Sequence, residues 1–198
     1  MIIGVLGKGG SGKSTVATMV VRELHQQGNH VLAIDADHNM DLAYALSQRE
    51  LPAPYLGEAL YDIRRRFGLA DTDPFSSTSP SSIEFTIAPA DDFTARYTHT
   101  CDERLQVMLT GPQPEEVLQG NRCSHSLASA LKLYLPHLSL THNQYVVVDE
   151  KASVDAVSTG IPTGFDLAVI VVENKPQSIR VASQIAETLG QYGVPYVY

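Results

Sequence analysis

A glycine-rich segment near the start constrains this chain more than any other feature. Residues 7–15 read Gly-Lys-Gly-Gly-Ser-Gly-Lys-Ser-Thr; the apolar run 1–6 precedes them and the helix-like segment 16–24 follows. The spacing fits G-x-x-x-x-G-K-[ST], in which Lys13 and Ser14 follow the second glycine. A strand, a glycine-rich loop and a helix in this order predict a phosphate-binding loop.

Phosphate binding explains why these residue types occur together. Several backbone N–H groups must converge on phosphate oxygens, which requires a loop without bulky side chains. Lys13 would bring a cation to the β- and γ-phosphates, and Ser14 would offer a hydroxyl to Mg²⁺. The alternative interpretation is a flexible glycine turn. The predicted nucleotide-binding residues are Gly9, Gly10, Ser11, Gly12, Lys13, Ser14 and Thr15.

The composition is that of a globular chain with an acidic balance. The formal net charge is −8 over 198 residues, which argues against broad binding to nucleic acid because such binding favours a basic face. No apolar run approaches ~18 residues, and no charged segment precedes an apolar one at the start, so we expect a cytoplasmic protein without a membrane anchor. Two cysteines, Cys101 and Cys123, are too few for a disulfide scaffold.

Apolar runs and helical patterns alternate along the chain. Further strands are predicted at 31–34, 83–87, 105–109, 145–149, 165–173 and 195–198. Further helices are predicted at 42–47, 56–67, 126–138 and 176–189, with connections at 71–82 and 111–120. This rhythm predicts an α/β fold with a mostly parallel, doubly wound sheet flanked by helices, and the phosphate-binding loop makes it one of the P-loop NTPase type. We expect a single domain over 1–198, with 83–87 at a sheet edge.

Two of the predicted strands end in acidic residues. Asp35 and Asp37 follow the strand 31–34, and Asp149 ends the strand 145–149. Ligands of open parallel sheets collect beyond the carboxyl ends of the strands, so these carboxylates are candidates to face the nucleotide. Asp149 would hold a Mg²⁺-bound water or Ser14. Asp35 and Asp41 have an alternative role, in which they cap or solvate the next helix.

The loop also carries a second lysine, Lys8. The stretch 8–14 resembles K-G-G-x-G-K-[ST], the deviant Walker A motif of ATPases that include MinD, ParA, the nitrogenase iron protein and nickel-insertion ATPases. The resemblance implies that two ATP-loaded subunits meet face to face, that Lys8 acts on the partner's nucleotide, and that ATP or ADP binds with Mg²⁺. The alternative for Lys8 is a solvated loop cation.

The resemblance extends to both switch regions of the family. The segment 35–43 is similar to D-x-D-P-N-x-x-L-A and implies that Asp37 orients the attacking water, although His38 replaces the usual proline. The segment 149–155 resembles D-x-x-A-G-[IVL]-E, with Ser153 at the glycine position, where a Cβ would weaken sensing or hydrolysis of ATP. The family usually continues past the last predicted strand, so we expect this sequence to lack the family's C-terminal end.

One subfamily is closer than the others. The segments 108–112 and 121–131 resemble the CooC-type nickel-insertion ATPases of carbon monoxide dehydrogenase maturation, in which a C-x-C pair binds metal at the dimer interface. Here the pair reads Cys123-Ser124-His125. A thiolate and an imidazole suit Ni²⁺ or Zn²⁺, and two subunits together would supply a four-coordinate Cys₂His₂ site. The alternative places Cys123 in a buried helix start and His125 at the surface.

Three functions follow from these resemblances. The leading hypothesis is a dimer-activated ATPase that serves as a metallochaperone for nickel insertion into carbon monoxide dehydrogenase. The second is a partition or septum-positioning ATPase, against which the acidic charge argues. The third is a degenerate nucleotide-binding module with little turnover, which the substitution at Ser153 favours.

Overall fold

The computed structural model describes residues 1–70, 83–113, 119, 128–152 and 154–198. The predicted connection at 71–82 lies outside these ranges, as do most of the connection at 111–120 and the residues Cys123, His125 and Ser153. The described strands are β1 (Ile2–Gly7), β2 (His30–Asp35), β3 (Thr98–Asp102), β4 (Leu105–Leu109), β5 (Gln144–Asp149), β6 (Leu167–Val171) and β7 (Tyr196–Val197).

The described helices lie between these strands. They are α1 (Lys13–Gln26), α2 (Asp41–Ser47), α3 (Leu60–Arg66), α4 (Asp92–Tyr97), α5 (Leu131–Tyr134), α6 (Asp155–Ser158) and α7 (Pro176–Tyr192). Short 3₁₀ turns occur at Leu56–Glu58, Leu135–His137 and Ile161–Gly164. The helix predicted over 56–67 is therefore a 3₁₀ turn followed by α3.

The strands form one sheet in the order β3-β4-β2-β5-β1-β6-β7. All neighbouring pairs are parallel except β3 with β4, which are antiparallel. The prediction of a mostly parallel α/β sheet flanked by helices is confirmed. Because β1, β2 and β5 are neighbours at its centre, their carboxyl ends meet beside the glycine-rich loop.

Both faces of the central strands are covered. Successive side chains of a strand point to opposite faces, so each central strand contributes to two apolar clusters. Leu6, Ile34 and Val148 belong to one cluster, and Val5, Ala33 and Val147 belong to the other. α1 packs Ala17 and Val21 into the second cluster, whereas α7 buries Ala182, Ile185 and Leu189 in the first at spacings of three and four residues.

One central position of β1 has no side chain for a steric reason. A Cβ placed on Gly4 would overlap the ring of Phe165. This ring belongs to the first apolar cluster and is 5% exposed. The glycine therefore lets an aromatic ring rest directly on the backbone of a central strand.

Two local predictions are wrong. The segment 83–87 makes only isolated bridges in the described structure, between Phe85 and Leu138 and between Ile87 and Ala90, and it is not a strand of the sheet. Its alternation arises because Phe85 and Ile87 are buried beside the sheet. The described part of the helix predicted over 126–138 is also shorter than expected, because α5 gives way to a 3₁₀ turn that contains Pro136.

Candidate functional site

The glycine-rich loop joins the end of β1 to the start of α1. Gly12 is the N-cap of α1 and adopts the left-handed conformation, with φ 92°. Gly10 also has a positive φ, of 77°. A glycine N-cap brings no capping side chain, and the first turn of α1 contains no acidic residue. The first N–H groups of a helix lack intrahelical partners, so this end of α1 is suited to an anion.

Lys13 is buried at the bottom of this loop. Its side chain is 7% exposed, and Nζ lies 3.4 Å from the carbonyl oxygen of Lys8. The amide N–H of Ser11 donates to the same carbonyl oxygen at 3.2 Å. These bonds hold the loop in a curve around the first residue of α1, so the Lys13 ammonium lies beside the loop amides.

Asp149 lies next to this group, at the end of β5. The residue is 1% exposed, and its Cα is paired with that of Val5 on one side and of Asp35 on the other. Burial raises the pKa of Asp149 to about 6, while the nearby Ser14 hydroxyl and Lys13 ammonium lower it. The buried Oδ1 has no hydrogen-bond partner among the described residues.

The first switch begins at Asp35, which is fully buried. Its Oδ2 accepts from the N–H of Ala43 at 2.9 Å, and its Oδ1 accepts from the N–H of Asp37 at 3.2 Å. Burial raises the pKa of Asp35 to about 7, against the effect of these two backbone bonds. Asp35 therefore organises the segment between β2 and α2, which agrees with the helix-capping alternative.

Asp37 is half-buried and lies in a turn. Its carboxylate accepts from the N–H of Asn39 at 3.4 Å, and its carbonyl accepts from the N–H of Met40 at 3.3 Å. The negative charges of Asp37 and Asp41 both raise the pKa of Asp149. Asp37 and Asp41 thus lie on the same side of the sheet edge as Asp149 and add to the negative charge there.

The second switch lies against the glycine-rich loop. A Cβ added to Gly9 would be 3.5 Å from the Cβ of Ala152. Glu150, which comes between Asp149 and this contact, is 1% exposed, and its Oε1 has no hydrogen-bond partner among the described residues. Burial, together with the charge of Asp149, raises the pKa of Glu150 to about 8, against the effect of a hydrogen bond from the backbone N–H of Lys151.

Lys8 is half-buried at the other side of the loop. Gly7, the residue before it, is aligned with Val171 at the end of β6. The Lys175 ammonium, 2.7 Å from Oε1 of Glu173, lowers the pKa of Glu173, and the charge of Lys8 lowers it further. Lys8 thus lies near the β6 end of the sheet, whereas Lys13 lies near Asp149.

The family follows from a comparison of the whole sequence with known domains. The CobQ/CobB/MinD/ParA nucleotide binding domain (CbiA) matches residues 2–195. The chain belongs to this family. It is therefore a nucleotide-binding domain of the P-loop ATPase type.

Relatives within the family match along nearly the whole chain. The carbon monoxide dehydrogenase accessory protein CooC of Rhodospirillum rubrum is 29% identical over 194 residues, which cover 98% of this chain and 71% of that protein. The uncharacterized ATP-binding protein MJ0084 of Methanocaldococcus jannaschii is 26% identical over 193 residues, covering 94% and 72%. The resemblance to CooC-type members of the MinD/ParA family is thus confirmed at the level of sequence similarity.

Solved structures of MinD/ParA proteins share the fold. The cell division ATPase MinD of Pyrococcus furiosus aligns with a TM-score of 0.63 at 19% identity, over 98% of this chain and 68% of its own. A ParA family ATPase from Chlorobium tepidum gives a TM-score of 0.60 at 22% identity, over 98% and 69%. The fold of this chain is therefore that of the MinD/ParA proteins.

The predicted site residues of this family member divide into two groups. One group converges at the ends of β1, β2 and β5. It consists of the glycine-rich loop with Lys13 and Ser14, and of Asp37 and Asp149. Cys123 and His125 lie outside the described residues. Within the described ranges, no three His, Cys, Asp or Glu side chains could hold a metal ion by themselves. None of the described helices has the length and hydropathy needed to cross a membrane.

Glu150 is buried directly after Asp149 and is absent from the predicted site residues. It belongs to the segment that resembles the second switch. Two consecutive acidic residues after an apolar strand are a signal that could have identified it. Because side chains alternate along a strand, two consecutive acidic side chains at a strand end are expected to point in different directions.

Proposed function

We propose that this chain binds Mg²⁺·ATP at the glycine-rich loop and hydrolyses it when two copies meet face to face. The observation that supports the proposal is the convergence of the α1 N-terminus, the buried Lys13 and the buried Asp149 at one edge of the sheet. The loop amides and Lys13 would hold the phosphates, because their positive charge is already concentrated there.

The residues around Asp149 fit a hydrated magnesium ion. A buried carboxylate oxygen without a hydrogen-bond partner is suited to a metal-bound water, and a serine hydroxyl is a suitable oxygen ligand. Ser14 would bind the ion directly, and Asp149 would bind through water. The ion held there would supply positive charge to stabilise the negative charge that develops on the phosphate oxygens.

Asp37 and Lys8 would complete the reaction. The backbone of Asp37 is held in a turn, so its carboxylate can orient a water molecule for in-line attack on the γ-phosphate. Lys8 would reach the phosphates of the partner subunit and stabilise negative charge in the transition state, as an arginine finger does. In this proposal a single subunit binds nucleotide but hydrolyses it poorly.

Nucleotide binding is tested by Lys13→Ala. The substitution removes the ammonium beside the loop amides, so we expect ADP and ATP affinity to fall by at least about 100-fold in calorimetry, as for the loss of a buried charge-assisted contact. Lys132→Ala, on α5, is the matched control and should bind as the wild type does. Equal nucleotide affinity for all three proteins would refute the proposed site.

The role of Lys8 is tested by a separate experiment. We expect Lys8→Ala to retain nucleotide affinity within about threefold, while ATP-dependent dimerisation in sedimentation and hydrolysis are both lost. A variant that hydrolyses ATP like the wild type would exclude action across the interface. A wild-type protein that binds ATP without measurable turnover would instead support the degenerate nucleotide-binding module.

The client and the cargo form the finer part of the proposal. We propose that hydrolysis serves nickel insertion into carbon monoxide dehydrogenase. The support is the similarity to the accessory protein CooC over 98% of the chain and the Cys123-Ser124-His125 pair. A thiolate and an imidazole from each of two subunits would form a closed four-coordinate site for Ni²⁺ or Zn²⁺.

The metal proposal predicts that metal and dimerisation are linked. If Cys123 and His125 of two subunits share one ion, metal strengthens the ATP-bound dimer and dimerisation strengthens metal binding by the same factor. Sedimentation with and without Zn²⁺ or Ni²⁺, in ADP and in a non-hydrolysable ATP analogue, measures this. Cys123→Ala and His125→Ala should abolish the effect, whereas Cys101→Ala and His142→Ala are matched controls. A dimer indifferent to metal would reject the shared site.

A further inference from the structure

The residue that follows β4, Thr110, touches the first switch with most of its polar atoms. It is 1% exposed. Its N–H donates to the carbonyl oxygen of Asp35 at 2.9 Å, and its hydroxyl donates to the carbonyl oxygen of Asp37 at 3.2 Å. Its own carbonyl accepts from the N–H of Gly57 at 3.1 Å. Thr110 therefore connects the first switch to the 3₁₀ turn before α3.

The turn at Asp37 combines this contact with an uncommon backbone conformation. The carbonyl oxygen of Asp37 accepts from both the Thr110 hydroxyl and the N–H of Met40. Met40 has a φ of 55°, a conformation that a residue with a Cβ adopts at a cost. An unfavourable conformation persists only where the surroundings hold it, and here the N–H of Met40 shares its acceptor with the buried hydroxyl of Thr110, just after β4.

The next residue of the turn, His38, makes a similar contact with the residue after Thr110. Nδ1 of His38 lies 3.4 Å from the carbonyl oxygen of Gly111. A proline at this position would fix its own φ but could not make that bond. In this chain, two successive residues of the first switch are thus bonded to two successive residues at the end of β4. Both bonds tie the turn to the segment after β4, and with a proline at position 38 only the bond from Thr110 could form.

We propose that Thr110 is a positioning residue for the first switch, and that its hydroxyl fixes the Asp37 backbone and hence the direction of the Asp37 carboxylate. The proposal rests on the proposed function, in which Asp37 orients the attacking water. Nucleotide binding depends on a different element, the loop before α1. Loss of the hydroxyl should therefore affect turnover much more than affinity, because catalysis is sensitive to small misplacements of a reacting group.

The test uses three variants of the full chain. Thr110→Val removes the hydroxyl and keeps the shape, Thr110→Ser keeps the hydroxyl, and Thr100→Val is the matched control on the exposed strand β3. We expect Thr110→Val to lower kcat by about 10- to 100-fold with KM and ADP affinity changed less than about threefold. Thr110→Ser should recover most of kcat, and Thr100→Val should behave as the wild type.

Amide hydrogen exchange decides the proposal without relying on turnover. In nucleotide-free protein, we expect Thr110→Val to speed exchange of the amides in 36–41 by roughly five- to tenfold, the effect of losing one net hydrogen bond, while amides of α1 are unchanged. Thr110→Ser should restore slow exchange.

The possible outcomes separate this proposal from the proposed function. Wild-type turnover no greater than that of Lys13→Ala would refute the proposed hydrolysis, and the exchange of 36–41 would still decide the role of Thr110. Equal exchange in Thr110→Val and the wild type, or equal losses of kcat in the Val and Ser variants, would overturn the positioning role.

Discussion

The ends of β2 and β5 lie side by side and both carry buried carboxyl groups, but their oxygens have different surroundings. Asp35, at the end of β2, accepts a backbone N–H at each carboxylate oxygen. Asp149 and Glu150, at the end of β5, each retain a buried oxygen with no hydrogen-bond partner among the described residues. The register pairs Asp35 directly with Asp149, so distance from the loop does not explain the contrast.

The difference distinguishes two kinds of carboxylate. Asp35 holds the backbone in place, whereas Asp149 and Glu150 each keep an oxygen that can accept a further hydrogen bond. A buried polar atom without a partner costs free energy of folding, so its persistence needs a reason. For Asp149, a bound Mg²⁺ and its water would supply the missing partner. For Asp35, the partners are already present as main-chain amides. Substitutions at these positions should therefore separate effects on activity from effects on stability.

The largest expected effect is on turnover, at Asp149. We expect Asp149→Asn to lower the rate of Mg²⁺-dependent ATP hydrolysis by about 10²- to 10³-fold, because the amide cannot hold the hydrated ion as a carboxylate does. ADP affinity without Mg²⁺ should be unchanged, and the melting temperature should not fall. Glu103→Gln, at an exposed position, is the control. A loss of stability without a loss of rate would contradict the distinction.

The next effect is on stability, at Asp35. Asp35→Ala leaves the N–H groups of Asp37 and Ala43 without acceptors, and at about 1–3 kcal/mol for each orphaned donor the free energy of unfolding should fall by about 2–6 kcal/mol. Urea unfolding measures this loss. Asp35→Asn retains a carbonyl oxygen, so it should be milder. If Asp35→Ala unfolds at the same urea concentration as the wild type, the two amides do not depend on the carboxylate.

The smallest effect is a gain of stability at Glu150. Glu150→Met keeps the size of the side chain and removes the unpartnered oxygen but also the acceptor of the Lys151 N–H, so the metal-free protein should gain about 1 kcal/mol. The pKa of about 8 in the folded protein exceeds the ordinary value of 4.5, so folding is linked to proton binding there. Wild-type stability should therefore fall as the pH rises from about 4.5 through 8.

The pH dependence provides a second measurement of the same substitution. The advantage of Glu150→Met over the wild type should be greater at pH 8 than at pH 5 in urea titrations with a chelator present. Glu187→Met, on the exposed face of α7, is the control and should show no such change. An advantage that is the same at both pH values would mean that Glu150 finds a partner in solution.

The sequence predicted the centre of the fold better than its edges. β1, β2 and β5 are continuous apolar runs, because both of their faces are covered, and such runs are readily identified. β3 was not predicted, since its residues Thr98–Asp102 are mostly polar and half-buried or exposed. Only its antiparallel pairing with β4 makes it a strand. Edge strands depend on such partners, which no local pattern reveals.

The error at 83–87 has a different cause. The alternation of Ile83, Phe85 and Ile87 predicts a strand, but the pattern reflects only that alternate side chains are buried. Phe85 packs its ring against Phe93 and Tyr134, with centroids 5.1 and 4.9 Å away. Its main-chain groups bond to the segment that follows α5. Burial by an aromatic cluster and burial by a sheet leave the same signature in a sequence.

The candidate site was predicted where motifs are local and missed where contacts are distant. The glycine-rich loop and Asp149 follow from short patterns beside apolar runs. The bonds of Asp35 to α2 and of Thr110 to Asp37 join residues that are 8 and 73 positions apart. These long-range contacts exist only once the sheet has formed. No spacing rule applied to the sequence alone could have assigned a positioning role to Thr110.

The contact between Gly4 and Phe165 affects how variants of this chain should be interpreted. Position 4 lies only a few residues before the glycine-rich loop, and any side chain there would displace the ring from the backbone of β1. In a mutational scan, this position should be as intolerant as Lys13. Its defect would appear as a low yield of folded protein, whereas Lys13 variants would accumulate normally but fail to retain nucleotide. A scan that scores abundance as well as activity would therefore distinguish the defect at Gly4 from the defect at Lys13.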